Sequence, residues 1–486
     1  MAIKDKDKKL FVFSLTNYNA ELKLLLTTLL LLCSLATLLQ FIPSPFTISA
    51  SDLRFCITRL SQTPPQQPSS ILHEKLNSDQ TIKRFFNPFG SSSYNFITMG
   101  AYRGGLNTFS IVGLSSKPLH LYAKPTYECQ WIPSTKNFSS KPITTIGYKI
   151  LPDWGYGRVY TVVVVNCTFN DTVINGDNNG GKLVLFASTS GGGDRNFNVT
   201  DKMEVLVEKN GDLDHTLFVS KPKFEFLYCG SSLYGNLNPQ RVREWIAYHV
   251  RLFGENSHFV IHDAGGVHEK VLEVLKPWIE LGYVTLQDIR DQERFDGYYH
   301  NQFLVVNDCL LRYKFMAKWM FFFDVDEYIY VPPKSTIKTV LHSLSEYSQF
   351  TIEQMPMSSK ICLSDDYGKT YRKWGFEKLV YRDAIKGIRR DRKYAVQPRN
   401  LYATGVHMSE NLDGKTTHKT EGRIKYFHYH GTIAQRKETC KLLVNSTNVN
   451  YEKTPYVLDT TLRDIAAVIK KFELKMIGSR LQNTTQ

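Results

Sequence analysis

Trp319-Met320-Phe321-Phe322-Phe323-Asp324-Val325-Asp326-Glu327-Tyr328 is the stretch whose reading decides the fold. An apolar, strand-like run ends at once in three carboxylates within four positions. Ionised groups at the end of a buried strand are costly unless something compensates them. Asp324 and Asp326 stand two apart, so in extended backbone their side chains share one face. Hard oxygen ligands at a strand end suit Mn²⁺ or Mg²⁺, with water and phosphate oxygens completing the shell. Such an ion neutralises a diphosphate leaving group. A bare Asp-x-Asp is also common on solvated surfaces, so its position in the chain has to decide.

Upstream, residues 223–228, 258–262 and 283–287 are short β-prone runs. Asn238 is placed to cap a helix with Pro239 at its first position, and Val242, Trp245, Ile246, Val250 and Phe253 follow at helical spacing. Gly265 and Gly266 turn the chain into a second helix over 267–280, bent near Pro277. A third helix near 301–315 leads to the strand 319–323. Strand and helix alternate four times, which predicts an α/β domain over 220–486 with a parallel sheet covered on both faces. Ligands bind such sheets outside the carboxyl ends of their strands, where Asp324 and Asp326 fall.

Further on, Tyr426-Phe427-His428-Tyr429-His430 alternates like a strand, putting His428 and His430 on one face. His407 lies in Thr404-Gly405-Val406-His407. A neutral imidazole can complete a metal shell, although a lone histidine is more often a core or surface residue. Arg382, Lys386, Arg389, Arg390, Arg392, Lys393 and Arg399 crowd one segment against Asp383 and Asp391. They form either a solvated face or a mobile basic loop that clamps phosphate or meets an acidic glycan.

The chain of 486 residues is long enough for two domains. Its 42% apolar and 22% charged content excludes wholesale disorder, a collagen-like repeat and a coiled coil. The net charge of +14 favours an anionic partner. Residues 24–42 are uncharged, and a helix of that length spans the roughly 30 Å hydrocarbon core. Basic residues precede this run, so the positive-inside tendency keeps residues 1–23 cytosolic and puts the body across the membrane. A cleavable signal peptide would carry a shorter apolar core, of ~7–15 residues. Asn-x-Ser/Thr sequons at Asn137, Asn166, Asn170, Asn198, Asn445 and Asn483 suit a secretory-pathway protein. Nucleic acid is an improbable partner there, and no nucleic-acid motif occurs. Cys129, Cys167, Cys229, Cys309, Cys362 and Cys440 are an even lumenal set that permits disulfides. Cys129 with Cys167 is the favoured pair, since both fall in one β-rich segment; buried free thiols are the alternative.

Residues 43–84, with Pro64, Pro65 and Pro68, read as an extended stem. Residues 85–219 hold short β-prone runs (108–112, 119–123, 158–165 and 182–187) broken by Gly, Asn and Pro, which predicts a β-sandwich-like module. Trp131, Tyr148, Trp154 and Tyr156 could stack on sugar rings or serve as core.

Glu293-Arg294-Phe295-Asp296-Gly297-Tyr298-Tyr299-His300-Asn301-Gln302, then Asn307-Asp308-Cys309-Leu310, then the stretch from Trp319 to Tyr328, together resemble glycosyltransferase family 92. Within that family the chain is similar to the plant galactan synthases. The likeness covers about residues 223–474. It implies a GT-A (Rossmann-like) glycosyltransferase domain, UDP-galactose as donor, Mn²⁺ (or Mg²⁺) as cofactor and inversion at the anomeric carbon. It also implies a β-1,4-galactan or pectic acceptor, a carbohydrate-binding-like module before the catalytic domain, and a Golgi-resident homodimer. By position, Asp324 and Asp326 match the metal motif, while His428 and His407 match late His-Tyr and Val-His elements. Which histidine touches the metal stays open. Asp308 and Arg312 are implied to meet the nucleotide sugar, and Tyr228 and Gly230 to lie near the uridine.

An inverting transfer also needs a general base. Asp365, Asp366 and Glu377 lie where this fold usually supplies it, with Asp366 and Glu377 ahead. Two other readings remain. One keeps the fold with another donor, UDP-arabinopyranose or UDP-glucose, which the Asp-x-Asp does not distinguish. The other is an anchored lectin with an inactive transferase domain. A metal hydrolase would lack any recognisable motif.

Overall fold

The computed structural model describes residues 25–32, 34, 72–90, 94–134, 141–155, 157–170, 180–190, 198–295, 302–385, 392–434 and 437–481. Residues 25–32 and 34 are helical. Among the described residues no helix is long and apolar enough to cross a membrane. Most of the expected anchor, residues 24–42, lies outside them, as do the tail 1–23 and the stem as far as residue 71.

The last part of the expected stem is not an extended spacer. It forms two strands, β1 (Glu74–Leu76) and β2 (Ile82–Arg84), that pair with each other, and β2 adds in parallel to the edge of the main sheet. Edge pairing satisfies backbone groups that a free stem would leave to water.

A strongly antiparallel module follows. Strands β3 (Asn87–Phe89), β4 (Phe96–Arg103), β5 (Thr108–Ser116), β6 (Thr126–Pro133), β7 (Ile143–Ile150), β8 (Tyr160–Thr168), β9 (Gly181–Ser190) and β10 (Asn198–Glu208) form one sheet in the order β10-β9-β6-β7-β8-β5-β4-β3. The sheet curls on itself around Phe96, Phe109, Trp131, Val163, Val165 and Leu185. Its two ends approach where the Asn95 side chain meets Asp201. Residues 119–123, expected as a strand, instead make one wide helical turn closed by the Lys124 N–H on the Leu119 carbonyl (2.9 Å). Leu121 and Tyr122 are exposed there, and among the described residues no strand pairs with this turn. Trp131 is core, stacked on Phe109 at 5.1 Å, whereas Tyr148 and Trp154 are exposed. Tyr156 lies outside the described residues.

The run Val162-Val163-Val164-Val165 explains how this module is held. Val163 and Val165 face its own interior, while Val162 and Val164 face a second core shared with Leu304, Val305 and Cys309. Both faces of β8 are covered, so the usual polar alternation is absent. Residues 70–486 accordingly form one compact unit.

The α/β part follows the expected alternation: β11 (Phe224–Leu233), α1 (Pro239–Phe253), β12 (Ser257–Asp263), α2 (Glu269–Glu280), β13 (Val284–Asp288), α3 (Gln302–Tyr313) and β14 (Ala317–Phe322). Asn238 Oδ1 accepts the Gln240 N–H at 2.9 Å and Pro239 opens α1, the cap expected from the sequence. The parallel strands stand in the order β13-β12-β11-β14. The direction of winding therefore reverses between β11 and β14, which opens a crevice at their carboxyl ends. Beyond β14 come β15 (Glu327–Tyr330), β16 (Gln349–Pro356), β19 (Lys393–Val396) and β21 (Lys425–His428), in the sheet order β14-β19-β16-β21-β15; β17 (Ile361–Leu363) and β18 (Tyr381–Asp383) lie off the sheet, and β20 (Thr416–Thr417) pairs with β16.

Disulfides link Cys129 to Cys167, Cys229 to Cys309 and Cys362 to Cys440. All six cysteines beyond the stem are paired. Of the sequons, Asn170 and Asn445 are exposed, but Asn166 is buried, with its Oδ1 accepting the Ser110 hydroxyl at 2.6 Å.

Candidate active site

The crevice between β11 and β14 opens into a cavity of about 520 Å³. Strand ends deliver its wall: Ser231 from β11, Asp324 and Asp326 after β14, Lys393 at the start of β19, and His428 at the end of β21. Antiparallel pairing of β14 with β19 sets Tyr394 opposite Phe322, which brings Lys393 to the aspartates. Pairing of β15 with β21 sets His428 opposite Glu327.

β14 ends at Phe322, so Asp324 and Asp326 do not share the face of a strand as expected. They sit on a turn instead. The Glu327 N–H donates to the Asp324 carbonyl (3.2 Å), and the Glu327 carboxylate accepts the Asp324 N–H (2.7 Å). This turn is what brings both carboxylates to the cavity. The Trp245 indole N–H anchors it from beneath, on the Glu327 carbonyl at 2.9 Å.

Asp324 is engaged on both oxygens. The Ser231 hydroxyl donates to Oδ1 at 2.5 Å and the Lys393 ammonium to Oδ2 at 2.7 Å. Burial works to raise its pKa, yet Lys393 and Ser231 hold it below the usual carboxylate value. Asp326 accepts the Gly431 N–H at 3.1 Å, and His428 Nε2 lies 3.6 Å from its Oδ1. Burial, and then the charge of Asp324, push Asp326 up to about 6. Glu327, almost wholly buried, lies well above its ordinary value: burial and the two aspartates outweigh Lys393, 3.6 Å away. Gln354 meets His428 Nδ1 at 2.6 Å and fixes that ring. His407 and His430, both exposed, complete the wall, with His407 Nδ1 at 3.1 Å from the Arg392 carbonyl.

Two carboxylates and an imidazole are the right donor chemistry for a divalent ion. Among the described residues, however, no three His, Cys, Asp or Glu side chains stand as a ready ligand cluster.

The structure therefore brings Asp324, Asp326, His428 and His407 together. It does not bring the other expected residues to the cavity wall. Asp308 is fully buried on α3, where the Arg84 guanidinium and the Tyr102 hydroxyl take both of its oxygens. Arg312 pairs with Glu74. Both side chains are occupied in joining α3 to strands β1, β2 and β4. Tyr228 is buried beneath the cavity, edge-on to Trp245 and Phe323 at 4.9 and 4.8 Å. Gly230 makes room for it, since a Cβ there would stand 1.8 Å from the Tyr228 hydroxyl. Asp366 is held by Arg463 at 2.7 Å and Lys373 at 3.1 Å. Glu377 accepts the Trp374 N–H at 3.1 Å and pairs with Lys470. Asp365 is exposed. The segment 296–301 of the family-like motif and residues 386–391 of the basic run lie outside the described residues.

Ser231, Glu327 and Gln354 were not singled out by sequence. Glu327 stood inside the motif and Ser231 three residues past the predicted strand 223–228, so position alone could have raised both. Gln354 carried no local signal.

A family model for glycosyltransferase family 92 matches residues 224–472, the span that builds this cavity. The chain belongs to glycosyltransferase family 92. Two Arabidopsis thaliana proteins, galactan beta-1,4-galactosyltransferases GALS3 and GALS2, are each 59% identical to it, over 99% of this chain and 98% of their own. A third from the same plant, GALS1, is 53% identical over 82% of this chain and 80% of its own. As a family 92 member the chain carries the cavity at the switch point of a mixed α/β sheet, with the β-module packed behind α3.

Proposed function

We propose that the protein transfers galactose from UDP-galactose to a growing β-1,4-galactan chain, with inversion at the anomeric carbon. The observation that carries this reading is 59% identity over nearly the whole chain to two galactan beta-1,4-galactosyltransferases. The cavity supports it, with acidic and imidazole donors at the switch point of a sheet that we read as a GT-A fold.

Asp324, Asp326 and His428 would hold Mn²⁺ or Mg²⁺. When bound, the ion supplies charge that stabilises the departing diphosphate. Ser231 orients Asp324, Gly431 orients Asp326, and Gln354 orients His428. The acceptor hydroxyl must lose its proton as it attacks. Asp366 and Glu377 are committed to ion pairs away from the wall, and His428 is assigned to the ion, so the base is to be sought between His407 and His430.

We place this reaction in the Golgi lumen, on a protein anchored by residues 24–42 with its N-terminus cytosolic. The exposed sequons and the three disulfides support an oxidising compartment. A homodimer and a pectic acceptor follow from the family resemblance.

Full-length protein supplied with Mn²⁺, UDP-galactose and a β-1,4-galacto-oligosaccharide is expected to yield longer oligomers. Extension only with UDP-arabinopyranose or UDP-glucose would replace the donor. Glycan binding with no transfer from any of the three would make the chain an anchored lectin.

A further inference from the structure

Lys393 is the feature of the cavity that the metal reading leaves unexplained. Its side chain is 5% exposed and enters from β19, yet it reaches the cavity wall. Its ammonium lies 2.7 Å from Asp324 Oδ2 and 3.6 Å from Glu327 Oε2. It thus sits against Asp324, one of the two carboxylates that a divalent ion would need. A buried ammonium among carboxylates is retained only where its charge is matched. Once a divalent ion takes Asp324, the nearest carboxylate is lost and only the Glu327 carboxyl, 3.6 Å away, still faces the ammonium. The ammonium then needs another anion at the same wall, and a nucleoside diphosphate beside the ion is one.

We propose that Lys393 is a built-in counter-cation that occupies Asp324 in the donor-free protein and pairs with the donor's diphosphate once the ion is bound. The inference rests on the reading of this cavity as a nucleotide-sugar site. It makes Lys393 a competitor of the ion when no donor is present and a ligand of the donor when both are. Ion and nucleotide then bind in concert, because each relieves what the other would leave unpaired. Coupling of this kind is reciprocal between the two ligands.

The experiment is a binding cycle on the full-length protein with Lys393→Met and Lys393→Arg. Mn²⁺ affinity is measured with and without UDP, and UDP affinity at saturating Mn²⁺, both by calorimetry. Lys393→Met should bind Mn²⁺ about tenfold more tightly without UDP and bind UDP about tenfold less tightly with Mn²⁺, so the coupling between them shrinks. Lys393→Arg, which keeps the charge, should retain most of the coupling. A merely structural lysine would not tighten metal binding when removed. If Lys393→Met cannot be purified metal-free, Mn²⁺ should recover it by taking over the ammonium's role. Failure of that recovery, or affinities equal to wild type, overturns the proposal. If wild type itself binds neither Mn²⁺ nor UDP, the nucleotide-sugar reading fails and this inference falls with it.

Discussion

Arg84 and Asp308 stand 224 residues apart in the chain and form a fully buried ion pair, Arg84 Nη2 to Asp308 Oδ1 at 2.8 Å. The same guanidinium donates to the Met99 carbonyl and the Gln287 side chain, so one side chain ties β2, β4, β13 and α3 together. The neighbours of Asp308 in the motif are structural in the same way. Asn307 Nδ2 donates to the Thr404 carbonyl and its Oδ1 accepts the Thr404 N–H, both at 2.8 Å, and Cys309 is bonded to Cys229.

The first prediction follows from that pair. Arg84→Met removes the ion-pair partner of the buried Asp308 carboxylate and leaves it the Tyr102 hydroxyl, which costs roughly 3–5 kcal/mol. Thermal or denaturant unfolding should show the loss. In the protein that remains folded, KM for UDP-galactose should change less than about twofold, because neither side chain reaches the cavity; twofold in an equilibrium is well under 1 kcal/mol. A large rise in KM at unchanged stability would restore Asp308 to the donor site.

Asp366 offers a second test, with a defined pH window. Burial opposes its ionisation, but Arg463 and Lys373 hold its pKa below the ordinary 3.8. A depressed carboxyl contributes stability above its unfolded pKa and loses it as pH falls through the folded one. Asp366→Asn should therefore lower stability by about 1–3 kcal/mol near pH 7. The difference from wild type should shrink below pH 4. Turnover at pH 7 should stay within about a factor of two in folded protein, less than 1 kcal/mol in the barrier. A drop of a hundredfold or more would make Asp366 the base after all.

Asp326 has the opposite sign. Its pKa is raised from 3.8 to about 6 by burial and by Asp324. As pH rises from about 4 to 6, the unfolded chain loses this proton before the native one does. Native stability falls over that window, and the full penalty stands above it. Asp326→Asn should thus stabilise the metal-free protein by about 1–3 kcal/mol at pH 7.5, with no gain at pH 4. The same substitution should abolish transfer. Denaturant unfolding at the two pH values, beside an oligosaccharide-extension assay, checks both. A destabilised variant at pH 7.5 would contradict the strain assigned to the carboxylate cluster.

The legible parts of this protein were local ones. Asn238 and Pro239 announce the start of α1, and alternating runs announce β11 to β14, because capping and periodicity act over a few residues. Asp324 and Asp326 were legible as candidates, and both line the cavity, because a buried strand cannot end in unpaired carboxylates without cause. What compensates them was not legible in detail. Lys393 lies 69 residues from Asp324 and stood out only as one of many basic residues in its segment. Asp308 misled for the same reason: a carboxylate in a motif does not reveal whether a ligand or a distant arginine answers it. The edge strands β1 and β2 were hidden at the end of a stretch read as stem from prolines and serines nearer its start. Leu119 to Ala123 looked like a strand because apolar composition alone does not supply a neighbouring strand.

Gln354 carries the last prediction. Its side-chain amide lies 2.6 Å from His428 Nδ1, and the opposite nitrogen, Nε2, faces Asp326. A partner on one ring nitrogen sets which tautomer the other presents and how the ring is turned. Gln354→Leu keeps the size of the side chain but removes that partner. If His428 joins the ion's shell, Mn²⁺ affinity should fall by roughly 10–100-fold, the range found when such supporting partners are lost. Because Gln354 is only half-buried, unfolding should shift by less than about 1.5 kcal/mol. Calorimetric Mn²⁺ titration in the presence of UDP separates the outcomes. Unchanged Mn²⁺ affinity in Gln354→Leu, together with a strong loss in His407→Ala, would move the imidazole ligand from His428 to His407.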